Sequence, residues 1–213
     1  FSAAPDPDAS SSGYADAVAT YLGIAASRIT DYSCTLATWA NNPQMEIVAH
    51  AFTRQALPMT WDFAEANVFG PSSGSLEILV GWVAKAIERL PASGRGSVAQ
   101  LDSISQRDSK HHVLVSTDPP YYDNIGYADL SDFFYLWLRR SLGKVYPDLF
   151  STLLTPKSQE LVATPYRFGG SRKKAQEFFE TGLGRAFDRI REVSDPRCPT
   201  TIYYAFKQAE SDG

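Results

Sequence analysis

The sequence predicts an α/β protein with a parallel sheet behind a helical N-terminal portion. Two apolar runs rich in β-branched and aromatic residues, Val113–Thr117 and Thr200–Phe206, have the length of buried strands. Helical apolar spacing lies before and between them, giving the strand–helix–strand alternation of βαβ units. The first run ends in Asp118-Pro119-Pro120-Tyr121, so it leads straight from a strand into a stiff loop.

In chain order, residues 1–13 are mostly Ala, Ser, Pro and Asp and read as a disordered leader or linker. Val18, Tyr21, Leu22, Ala25 and Ile29 fall at helical spacing, and that helix is expected to run on toward Trp39. Asn41-Asn42-Pro43 is expected to break it. Gln44 to Phe69 carries no clear period, and Pro58 argues against an unbroken helix there. Pro71-Ser72-Ser73-Gly74 reads as a loop, and Leu76, Leu79, Val80, Val83, Ile87 and Leu90 mark the next helix. Residues 14–92 are therefore expected to be mainly helical, and 97–213 to form the βαβ part.

That second part opens with a short strand-like run, Ser97–Leu101, ending at Asp102. After the Val113–Thr117 strand, Asp129 or Ser131 can cap a helix that buries Leu130, Phe133, Phe134 and Trp137. Residues 143–170 are a long irregular connection, a length associated with function or mobility. Ala175, Phe178, Phe179, Leu183, Ala186, Phe187 and Ile190 mark a last amphipathic helix, in which Gly182 and Gly184 point to close packing. Ligands of parallel sheets bind beyond the carboxyl ends of the strands. Asp102 and Asp118 would then share one rim of the sheet.

The loop Asp118–Tyr127 carries the chemistry. The Asp118 carboxylate can accept one N–H of a planar exocyclic amine. The Pro119 carbonyl can accept the other, since proline keeps its C=O. Two fixed acceptors aim the nitrogen lone pair at an electrophile. Pro119 and Pro120 hold that geometry with little entropy to lose. Tyr121 offers a ring on which a flipped base can stack, worth roughly 1–3 kcal/mol. Asp118 need not be a general base; it can stabilise positive charge developing on nitrogen. Tyr122, Asn124 and Tyr127 would shape the pocket. The plainer alternative is a stiff Pro-Pro turn opened by an aspartate.

Hydrophobic residues make up 44% and charged residues 21% of the 213, an ordinary globular balance. No apolar run is long enough to span a bilayer, and no signal or lipidation motif is present, so a cytoplasmic protein without a membrane partner is expected. The chain begins at Phe1 and stops just after a strand-like run, and is read as a piece of a longer polypeptide. Cys34 and Cys198 are far apart, and His111-His112 would point to opposite faces of a strand, so no disulfide framework and no metal site are expected. The net charge of −4 does not announce a nucleic-acid binder. Phosphate contacts need only a local basic stripe, and Arg167, Arg172, Lys173 and Lys174, spaced by a glycine pair, can supply one. The other reading of that run is a solvated surface.

The stretch Asp118–Tyr135 resembles the signature of the large adenine-specific DNA methylases of bacteria and archaea. Gln55–Asn67 and the stretches around Pro156-Lys157 and Tyr203–Gln208 are similar to segments of the same family. The resemblance covers most of the chain beyond residue 14. It implies a Rossmann-like class I methyltransferase sheet. It implies methyl transfer from S-adenosyl-L-methionine to adenine N6 in DNA, with Asp118, Pro119, Pro120 and Tyr121 as the catalytic loop and Asp102 at the adenosyl end of the cofactor. A turn aspartate is the alternative for Asp102. The family's Asp-Pro-Phe-x-Gly-x-Gly cofactor loop is missing; Asn67–Gly74 is only loosely similar. The chain is therefore expected to be the amine-binding part of a larger enzyme, a site-specific adenine methyltransferase that could be inactive as a fragment. The alternatives are an RNA or protein-amide acceptor, or a nucleic-acid-binding module without catalysis.

Overall fold

The computed structural model describes residues 10–42, 44–54, 56–90, 98–105, 113–123 and 125–204. These residues form an α/β chain of four α-helices and two separate two-stranded sheets. They divide into two compact units that interleave in sequence. One comprises Phe1–Val98 with Ala128–Thr155, the other Ala99–Tyr127 with Pro156–Gly213.

The first unit starts with α1, Ser10–Thr30, so the last residues of the expected leader are helical. Its buried residues include the small Gly23, Ala25 and Ser27, while Val18, Tyr21 and Leu22 stay exposed. A β-carbon on Gly23 would lie 2.9 Å from Leu142 Cγ, so glycine permits that approach. α1 does not run on toward Trp39. It ends where Thr30, Asp31, Ser33 and Thr35 lower helix propensity, and Trp39 belongs to a strand instead. The expected mainly helical 14–92 segment thus contains an antiparallel hairpin, β1 (Thr38–Asn42) and β2 (Met45–Ala49), in register from Thr38↔Ala49 to Asn42↔Met45. Asn42 works as a turn residue, its Oδ1 accepting the Gln44 N–H at 3.0 Å.

Asp31 organises this end of the unit. It is 0% exposed and bonded to Arg28 Nη1 at 2.6 Å. It accepts the Phe52 N–H at 3.0 Å and lies 3.3 Å from His50 Nδ1. Its backbone carbonyl accepts the Ala51 N–H at 2.8 Å, so the end of α1 is tied to the end of β2. A long irregular stretch leads to α2, Leu76–Arg89, whose N-cap Ser75 accepts the Ile78 N–H. Only Leu79 of the expected apolar stripe is fully buried, and α2 packs on α1. α2 stops as Leu90 turns extended (φ −73°, ψ 137°), the conformation forced on a residue before proline.

The helix α3, Tyr127–Leu142, begins earlier than Asp129 or Ser131 would cap it, so Asp129 lies within its first turn. From Ala128 onward α3 belongs to the first unit. Tyr135 and Leu142 form a core with Phe150, while Trp137, expected to be buried, is 45% exposed. Phe133 and Phe134 pack edge-on and tilted against Phe52, at 5.2 and 5.0 Å. The long connection is pinned near its middle: Thr155 donates to Asp132 Oδ1 from N–H at 2.9 Å and from hydroxyl at 2.6 Å.

In the second unit a parallel pair replaces the expected three strands. β3 (Ser116–Thr117) pairs with β4 (Thr201–Ile202), with a further parallel bridge between Val113 and Ser194. Residues 98–101 form no strand. Thr201 and Ile202 are exposed, so the expected buried strand is two residues of open ladder among the described residues. The crossover carries a short 3-10 helix, Pro165–Phe168, and α4, Arg172–Val193. Gly169 and Gly170, at φ 60° and 84°, make the turn between them, a conformation that costs other residues strain. Ser171 caps α4 by accepting the Lys174 N–H. Ala163, Ala175 and Phe179 form the core of this unit, flanked by Leu161, Phe168 and Leu183. Gly182 lies directly under Leu161, as close packing requires, whereas Gly184 faces open space.

Candidate amine-binding site

Every described residue of the candidate site lies in the second unit. The β3–β4 ladder sets it up. Thr201 N–H donates to Val115 O at 3.0 Å and Tyr203 N–H to Thr117 O at 2.8 Å, so the last residue of β3 is held directly before Asp118. Asp118 therefore sits at the carboxyl end of a parallel strand, where such sheets place ligands. Its side chain is exposed and makes no hydrogen bond or ion pair among the described residues. Pro119 is half-buried and Pro120 exposed.

Two tyrosines leave this loop in different settings. The Tyr121 ring meets the Tyr204 ring edge-on, with centroids 5.4 Å apart and planes at 88°. The Tyr122 ring packs edge-on against Phe179 of α4 at 5.2 Å, and its carbonyl accepts the Ala163 N–H at 2.7 Å. Tyr122 thus anchors the loop to the core of its unit, which is a structural duty whatever else it does. Tyr127 opens α3 and is half-exposed. Asn124 lies outside the described residues.

The basic cluster divides. Arg167 is engaged: Nη2 lies 2.8 Å from Glu160 Oε2, Nη1 donates to Lys157 O at 3.0 Å, and the guanidinium sits over the Tyr166 ring at 5.8 Å. A phosphate would have to compete with that ion pair. Arg172, Lys173 and Lys174 form the exposed first turn of α4, with no acidic residue among them. Three cations at a helix N-terminus oppose its dipole, by about 0.3–1 kcal/mol each. A backbone amide end with added positive charge suits an anion.

The expected cofactor residue, Asp102, is set differently from its sequence expectation. Asp102 does not end a strand. Its Oδ1 accepts the Ile104 N–H at 3.0 Å and its carbonyl the Ser105 N–H at 2.9 Å, the pattern of an Asx turn. In Asn67–Gly74 both glycines serve the loop itself. A β-carbon on Gly70 would meet Asn67 O at 3.2 Å, and one on Gly74, at φ 87°, would meet Tyr32 Cγ at 2.7 Å. The two glycines of Asn67–Gly74 are thus taken up by local packing and do not offer the open backbone that close approach of a cofactor needs. Away from the site, the hydrogen bond to Asp195 raises the pKa of Arg197 above its ordinary value.

Among the described residues no three His, Cys, Asp or Glu side chains are grouped to hold a metal ion. No described helix is long and apolar enough to cross a membrane. The expected strand end at Asp118 and the aromatic Tyr121 beside it are brought together, while Asp102 is not placed on a strand rim. Tyr204, which meets the Tyr121 ring, was not among the expected site residues, although the Tyr203-Tyr204 pair within a run expected to be a strand was a readable signal. No protein-family model, no curated protein and no solved structure matches the chain.

Proposed function

We propose that this chain is the acceptor part of a methyltransferase and that it binds the exocyclic amine of adenine in DNA. The observation that carries this reading is Asp118: an exposed carboxylate without a partner among the described residues, at the end of a parallel strand, followed by two prolines and a tyrosine. Asp118 and the Pro119 carbonyl each accept one amine proton, and Tyr121 stacks on the base. This holds the nitrogen lone pair along a fixed direction and stabilises the charge that grows on nitrogen as it alkylates. S-adenosyl-L-methionine would supply the electrophilic methyl group. Asp102 stays a candidate for the adenosyl end of that cofactor, and the amine-binding role does not depend on it. On this reading β3, α4 and β4 are part of a Rossmann-like class I methyltransferase sheet, and Arg172, Lys173 and Lys174 contact phosphates.

The test is methyl incorporation from tritiated S-adenosyl-L-methionine into DNA, RNA and protein by the polypeptide that carries this chain together with a donor site. Label is expected in DNA, and Asp118→Ala is expected to abolish it with the fold intact. Undiminished incorporation by that variant would sink the assignment, and label appearing only in RNA or protein would reassign the acceptor.

The missing Asp-Pro-Phe-x-Gly-x-Gly loop favours a second reading, a nucleic-acid-binding module without catalysis. It predicts salt-sensitive DNA binding and no affinity for S-adenosyl-L-methionine by calorimetry. Neutralising Arg172, Lys173 and Lys174 together should then reduce the salt slope by about 0.9 for each phosphate that no longer meets a cation. Neutralising Arg167 should add little, since its charge is already paired with Glu160.

A further inference from the structure

We infer that Tyr204 is a positioning residue for the stacking ring of Tyr121, an inference that rests on the amine-site reading above. The contact is specific in geometry: centroids 5.4 Å apart and planes at 88°. An edge-to-face pair places the positive ring edge against the negative face and so resists rotation of either plane. A tyrosine ring otherwise turns through a broad two-fold torsion, and a stacking platform that turns loses its parallel overlap with a base.

The surrounding backbone is fixed on both sides of this pair. Pro119 and Pro120 stiffen the chain before Tyr121. After it, the Tyr122 carbonyl is held by the Ala163 N–H at 2.7 Å, and the Tyr122 ring lies on Phe179. On the neighbouring strand, the Tyr203 N–H is bonded to Thr117 O at 2.8 Å, one residue before Tyr204. The ladder that presents Asp118 therefore also sets where the Tyr204 ring starts. Tyr204 is 39% exposed, so its contact with Tyr121 is made at the surface, where a flat ligand can reach it. The platform is then a composite of two strand ends: β3 supplies the acceptors and the ring, and β4 supplies the ring's orientation.

The test uses the 213-residue chain and a single-stranded DNA oligonucleotide carrying 2-aminopurine, whose fluorescence is quenched by stacking. Wild-type chain is expected to quench it on binding. Tyr121→Ala is expected to lose the quench and to weaken binding about tenfold or more. Tyr204→Leu, which keeps bulk but has no ring, is expected to reduce the quench amplitude strongly while changing affinity by only about 2- to 10-fold. Tyr204→Phe is expected to restore it. The double variant Tyr121→Ala/Tyr204→Leu should be no worse than Tyr121→Ala alone, since Tyr204 acts through that ring. Near-UV circular dichroism checks that the leucine variant is folded, and the phenylalanine variant carries the test if it is not, because loss of quench there overturns the inference. A Tyr204→Leu chain that quenches like wild type while Tyr121→Ala does not also overturns it, and leaves the amine site standing. Equal quenching, or none, by wild type and Tyr121→Ala overturns both.

Discussion

Two aspartates end two elements of this chain, and they are used in opposite ways. Asp31 follows α1, is fully buried, and bonds Arg28 and the Phe52 N–H with His50 beside it. Asp118 follows β3, is exposed, and bonds nothing among the described residues. A buried carboxylate is tolerable only when its oxygens are satisfied, so the surroundings of Asp31 explain it completely as structure. The surroundings of Asp118 explain nothing about why an aspartate is there. A side chain without a structural duty, held by a ladder bond one residue away, is available to a ligand.

Substitutions can break or sharpen that contrast. The largest effect is expected from Asp31→Ala, which leaves Arg28 and the Phe52 N–H without their carboxylate partner, although the backbone bond from the Ala51 N–H remains. A loss of about 3 kcal/mol is expected, short of the upper range because Arg28 is partly exposed and rehydrates. A urea midpoint unchanged from wild type would show that Asp31 is not the hub described. Gly74→Ala is expected to cost about 2 kcal/mol, because alanine at φ 87° is strained and its β-carbon would strike Tyr32, the residue after Asp31. Thermal unfolding measures it, and Gly81→Ala, inside α2 with nothing near its missing β-carbon, is the control that should stabilise. On the other side of the comparison, Ser171→Ala removes the α4 cap and should cost about 1 kcal/mol, seen as a lower melting temperature with little change in helical signal at 20 °C. Asp118→Ala should change stability by less than about 0.5 kcal/mol. A clearly destabilised Asp118→Ala chain would mean that this aspartate has a structural duty after all, and the contrast would fail.

The sequence made one of these aspartates legible and hid the other. Asp118 could be read because its neighbours are restrictive: a β-branched run before it and two prolines after it leave few conformations. The same holds for α2 and α4, whose apolar period and serine caps are local signals. The β1–β2 hairpin was hidden because Thr38, Trp39 and Ala40 follow a strong helical period without a glycine or proline between them, and Asn41-Asn42-Pro43 serves a helix stop or a hairpin turn equally. Asp31 was hidden because its partners come from two elements, and only tertiary structure brings the Phe52 N–H to it. Within the site, the loop itself was readable. The engagement of Arg167 by Glu160 was not, since charge runs do not say which cation is already paired. Nor was the turn at Asp102, where a strand was expected and an Asx turn formed.

The parallel pairing of β3 with β4 also has a consequence for the order of events during folding. The hairpin joins neighbours, Asn42 with Met45, and such ladders close in about 1–10 μs. Thr117 must instead find Ile202 across α3, the long connection and α4. The ladder that orients Asp118 and the rings of Tyr121 and Tyr204 is therefore expected to be among the last parts to form. Pulse-labelled hydrogen exchange should show the Tyr203 amide protected later than the amides of β1 and β2. On a ribosome the contrast is sharper still. A nascent chain that has reached Cys198 has already made the whole Asp118–Tyr127 loop, yet has none of the strand that positions it.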